Sequence, residues 1–188
     1  TRIGSSAASD VYKRQRDESS LMLLPFEETS TVVSMGKSTS NIIRAKRMVG
    51  GNGGSIGAIL TNRVFDNAGD MTTGGLDFHY HPGANYHITL HATASIHNES
   101  ENYEYIYEPT DDNSELTFDS GKYTKDLDGE KVTGNALGFS LNKRTRTESF
   151  GIVLRLRSPG FRTSNGFETN NATKWLKASR GKTVYYNN

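Results

Sequence analysis

The sequence predicts an all-β protein: an antiparallel β-sandwich, jelly-roll-like, with at most one or two short helices. Three observations carry that expectation. Apolar and polar residues alternate with period two through most of the chain, the mark of half-buried strands. Glycine is abundant at 19 residues, and clusters of turn-forming residues separate the alternating runs. No long amphipathic helical pattern and no internal repeat is present. About eight short strands at this spacing fit a sandwich or jelly roll.

Taken in order, "TSTVVSM" (29–35) and "SIGAILTNRVF" (55–65) are the first strand candidates, flanking the glycine cluster "GGNGG". "LDFHYH" (76–81) sets Leu76, Phe78 and Tyr80 against Asp77, His79 and His81. "YHITLHATASIH" (86–97) is the clearest run. Its even positions are Tyr86, Ile88, Leu90, Ala92, Ala94 and Ile96, and its odd positions are His87, Thr89, His91, Thr93, Ser95 and His97. "NYEYIYE" (102–108), "SELTF" (114–118), "NALGFSL" (135–141), "FGIVLRLR" (150–157) and "KTVYY" (182–186) follow. The apolar face of each strand is expected to meet the core and the polar face to meet water. Two segments read as short helices, "TSNIIRAKRMV" (39–49) and "NNATKWLKAS" (170–179).

The chain of 188 residues suits one domain with its own core. "SSAASDVYKRQ" (5–15) resembles the in-frame translation of a sequencing-library adapter. That resemblance implies a gene assembled from environmental reads, with residues 1–15 extraneous and disordered and residues 16–188 a single β-sandwich domain lacking its natural start.

Bulk properties exclude several function classes. Net charge is +1, so no overall field favours nucleic acid or membrane. Cysteine is absent, which removes disulfides, thiolate metal sites and cysteine nucleophiles. No apolar run approaches the roughly 20 residues of a helical membrane span.

All five histidines fall between His79 and His97. His87 and His91 are roughly 13 Å apart along one strand at about 3.3 Å per residue, so a shared ion needs a neighbouring strand. A three-residue "PGA" hairpin loop sets His79 opposite His87 and brings His81 alongside. His79, His81 and His87 plus water would make a zinc shell of the catalytic type. "HYHPGAN" resembles the first half of the cupin metal motif, yet Asn85 or Tyr86 stands where its glutamate belongs, and no histidine follows His97. The alternative reading leaves all five imidazoles on a solvated sheet face or in a subunit interface.

"TKDLDGE" places Asp126, Asp128 and Gly129 as in positions three, five and six of a calcium loop. Thr124 stands at position one, and Asn135 replaces the closing carboxylate. Zinc and calcium are thus the two metal readings beside one with no cofactor. Tyr103, Tyr105, Tyr107 and Trp175 are candidates for stacking on sugar rings, or for core packing. Acidic residues gather over 108–130, and basic ones (Lys143, Arg144, Arg146, Arg155, Arg157 and Arg162) follow them. That segregation suits contacts between copies as well as a solvated surface. No G-x-S-x-G motif or phosphate loop occurs, and no catalytic residue is assigned.

"PGANYHITLHATASIHNESENYEYIYE" (82–108) has the cadence of a turn, a long core strand and a second strand with a polar tip. It resembles tumour-necrosis-factor-like jelly-roll heads, found in trimeric receptor-binding and fibre proteins, including viral ones. The resemblance implies a non-enzymatic virion structural or host-attachment module, a homo-oligomer such as a trimer, located in a virion or outside cells. A carbohydrate-binding sandwich and a zinc enzyme are the alternatives.

Overall fold

In a computed structural model, residues 8–50, 53–66, 69–101, 105–106, 108, 115–163 and 169–185 are described. The protein is all-β and antiparallel, with no helix among the described residues. Its larger sheet has eight strands: β1 (Ala8–Phe26), β2 (Thr29–Val49), β3 (Gly54–Phe65), β4 (Gly69–Gly83), β5 (Tyr86–Glu99), β8 (Lys131–Arg144), β9 (Glu148–Arg157) and β10 (Lys174–Lys182). They lie side by side in that order, an up-and-down meander. A second, two-stranded sheet pairs β6 (Thr117–Phe118) with β7 (Tyr123–Thr124).

Both expected helices are strands. "TSNIIRAKRMV" is the second half of β2, and "NNATKWLKAS" supplies most of β10. Thr39, Ile42, Ile43 and Val49 favour a pleated surface, and β2 is paired along both edges. Lys174–Lys182 has a weaker strand preference but completes the open edge of β9 over nine residue pairs. β10 ends at Lys182, the first residue of "KTVYY".

Residues 8–15, expected to be disordered, form the start of β1 and pair with Ser40–Arg47; residues 5–7 lie outside the described residues. The physical reason is the edge they meet. A 21-residue β2 offers unpaired N–H and C=O groups that any extended segment satisfies. Side chains 10–16 stay exposed, so this segment adds ladder and no core. Burial begins beyond the bulge between Asp17 and Ser20, with Ser20, Met22, Leu24 and Phe26.

The core lies at one end of one sheet face. Met22, Leu24 and Phe26 of β1, Val33 and Met35 of β2, Phe65, Met71 and Val132 form its floor. The β6–β7 hairpin and the segment after it cover them with Phe118, Tyr123 and Leu127. Phe118 meets Phe26 edge-on at 5.5 Å and Tyr123 at 5.4 Å. The described part of the 158–173 connection, residues 158–163 and 169–173, closes the same end. Buried Asn171 clamps it to the β1–β2 turn, donating from Nδ2 to the carbonyls of Pro25, Pro159 and Phe161 and accepting at Oδ1 from the Glu27 N–H.

This covered end belongs to the polar face of the sheet. Directly paired residues share a face, so the register fixes the opposite face as well. One row runs Ile56, Phe78, Leu90, Phe139, Leu154, Leu176, and the next Ala58, Leu76, Ala92, Leu137, Leu156. The sequence led us to expect that apolar face to be the buried one, yet Leu76 is 62% exposed and Leu176 70%. Ser95, His97 and Glu99, on the polar side of β5, are the buried positions of that strand.

Candidate functional site

Arg162 organises the covered end. Grouped in the sequence with the surface basic residues, it is instead among the largest fully buried side chains. Its guanidinium lies 5.4 Å from the centroid of Phe26 and 5.2 Å from that of Phe118. Arg162 Nη1 donates to Glu99 Oε1 at 2.6 Å and to His97 Nδ1 at 3.0 Å. His97 is therefore not on the outward face expected for all five imidazoles; Arg162 lies over it. Burial, with the Arg162 charge, holds its pKa down to about 3, so the ring is neutral and Nδ1 accepts. Burial, opposed by Arg162 and reinforced by Asp128 and Glu130, pushes Glu99 up to about 7.

Glu99 also faces the acidic segment. Its N–H donates to the Glu130 carbonyl at 3.0 Å, and Glu101 bridges Asp128. Ligand atoms of Glu99, Asp128 and Glu130 lie within 4.8 Å of one another. Thr124 holds the last two, donating from Oγ1 to Asp128 at 2.9 Å and from its N–H to Glu130 at 2.9 Å. The calcium-loop pattern of the sequence marks Thr124, Asp126, Asp128 and Gly129 and gives no side-chain ligand position to Glu99 or Glu130. Asn135, the nominal closing position, lies in β8 and pairs with Ala94.

The zinc candidates His79, His81 and His87 do not converge. A bulge between Tyr80 and Gly83 sets His79 opposite Thr89 rather than His87. The rings instead form two pairs: His81 with His87 at 4.5 Å between centroids, and His79 with His91 at 5.6 Å. Among the described residues no three histidines bring ligand atoms together. His79 faces Asp77 at 3.7 Å, and Arg44 meets the same carboxylate at 3.3 Å.

Of the aromatic candidates, Tyr105 packs against the core, while Tyr103 and Tyr107 lie outside the described residues. Trp175 is 44% exposed on the polar face, with the Arg155 guanidinium 5.3 Å from its ring.

The largest feature is the exposed apolar face. Across β3–β9 it presents Ile56, Leu60, Leu76, Leu90, Ile96 and Leu137, all exposed. Gly74, Ala92 and Ala94 leave a shallow depression beside the raised Leu76 and Leu137. Charged side chains frame it: Arg47 pairs opposite Ile56, Lys174 opposite Leu156, Lys143 opposite Tyr86 and Asp70 opposite Val64.

No family model, no curated protein and no solved structure matches this chain.

Proposed function

We propose that the protein is a non-enzymatic assembly module whose apolar sheet face is covered by a second copy of the chain. It would serve as a structural or attachment component of a larger particle, such as a virion. The observation that carries this reading is the contiguous exposed apolar face, since patches beyond a few hundred Å² mark interaction surfaces. Its layout supports a protein occupant. An apolar centre inside a charged rim is the anatomy of a protein interface. A membrane belt needs apolar side chains all along its height, whereas Arg47 and Lys174 stand level with the centre of this face. The depression at Gly74, Ala92 and Ala94 next to the projecting Leu76 and Leu137 suits like-to-like stacking, two sheets about 10 Å apart.

Light scattering during size exclusion tests it. The expected mass is at least twice the 20.7 kDa of one chain, falling to one chain in Leu76→Glu without loss of the circular-dichroism spectrum. A wild-type protein that stays at 20.7 kDa, or that associates only with lipid vesicles, contradicts it.

A second reading has one observation behind it: Trp175 beside Arg155 offers a ring and a hydrogen-bond donor to a glycan. A glycan array with wild type and Trp175→Ala tests it, and binding unchanged by the substitution removes it.

A further inference from the structure

We infer that Glu99, Asp128 and Glu130 form a calcium site at the covered end of the sheet, tying the β7–β8 turn to the end of β5. Oxygen atoms of all three carboxylates lie within 4.8 Å of one another, close enough for one ion. An acidic cluster alone would be an ordinary surface feature, but here a separate observation points to a ligand. The Glu99 side chain is fully buried, and Arg162 occupies only its Oε1. The second oxygen, Oε2, is buried with no hydrogen-bond partner among the described residues. A carboxyl oxygen enclosed in this way calls for a cation or a donor, and a cation here would hold Glu99 in its ionised form.

Charge points the same way. With all three carboxylates ionised against one guanidinium, the site carries a balance of −2 that a divalent ion cancels. The donors are oxygen only, which selects a hard cation over zinc, and their unequal side-chain lengths suit the flexible shell of calcium better than the strict octahedron of magnesium. The backbone already holds the ligands in place. The Glu99 N–H bonds the Glu130 carbonyl, Glu101 bridges Asp128, and Gly129, at φ +92°, lets the chain turn between Asp128 and Glu130. Asp128 is exposed, so solvent reaches the site and water can complete the shell.

The test is calorimetric titration of calcium chloride into chelator-treated full-length protein, with thermal melts in parallel. The expected result is one site per chain with a dissociation constant between about 0.1 μM and 1 mM. The melting temperature should rise with calcium and fall again with chelator. Asp128→Asn and Glu130→Gln, both at the accessible side of the site, should each weaken binding at least tenfold with unchanged circular dichroism. Absence of calcium-dependent heat and melting shift in the wild type overturns the site. So does calcium binding that both substitutions leave intact, or a response to zinc alone that His79→Ala abolishes.

Discussion

Arg162 Nη1 lies 2.6 Å from Glu99 Oε1, joining two buried side chains that are 63 residues apart in the chain. The contact fastens the 158–163 segment onto the last rungs of the β5 ladder, and with it the cover of the core.

Breaking one side of this pair strands the other. Arg162→Met should destabilise the protein by about 3–5 kcal/mol in urea unfolding, because the buried Glu99 carboxyl would lose its cation and have to take up a proton to stay enclosed. Adding Glu99→Gln should recover part of that loss, and strict additivity of the two substitutions would show that the contact does not couple them.

The same cluster sets a pH response with two opposed parts. His97 is lowered from its usual 6.5 to about 3, so its contribution to stability is present above 6.5 and lost as pH falls toward 3. Glu99 is raised from its usual 4.5 to about 7, so its contribution is present below 4.5 and lost as pH rises toward 7. Between 4.5 and 6.5 the slopes offset each other. In calcium-free Glu99→Gln only the His97 slope remains, and stability should fall on acidification by up to about 1.4 kcal/mol per pH unit more steeply than in wild type. Parallel profiles for the two proteins would refute this assignment.

Backbone contact at Gly134 gives a local test of the same closure. A Cβ there would strike the backbone of Gly160 and Phe161, whereas one at Gly138 would meet His91 at an ordinary 3.7 Å. Gly134→Ala should cost about 1–3 kcal/mol by overpacking. Gly138→Ala should change stability by about 0.5 kcal/mol or less. Equal effects would mean that the 158–161 segment does not rest on β8.

Much of the strand content was legible because period two is written into runs such as Tyr86–His97, where every even residue is apolar. Which face is covered was not. Alternation separates two faces without saying which loops return to them, and the polar face is closed by Phe118, Tyr123, Phe161 and Arg162, all distant in sequence. His97 and Glu99 share the odd face of β5, but nothing in "SPGFR" announces that its arginine turns inward. The histidine geometry depended on a bulge at His81–Pro82 that a simple hairpin count omits. Strand pairing likewise overrode the local helix signals of "TSNIIRAKRMV" and "NNATKWLKAS", since both segments complete ladders with distant partners.

The apolar face itself admits a direct probe, because the chain has no cysteine to interfere. Ala92→Cys places a thiol at the centre of that face, and Ser179→Cys places one at an exposed position on the opposite face of the sheet. In the native protein the thiol at position 92 should react with a maleimide at least tenfold more slowly than the thiol at 179, and should become equally reactive when Leu76→Glu is added. Equal reactivity of the two thiols in the otherwise wild-type chain would contradict a covered face and the assembly role built on it.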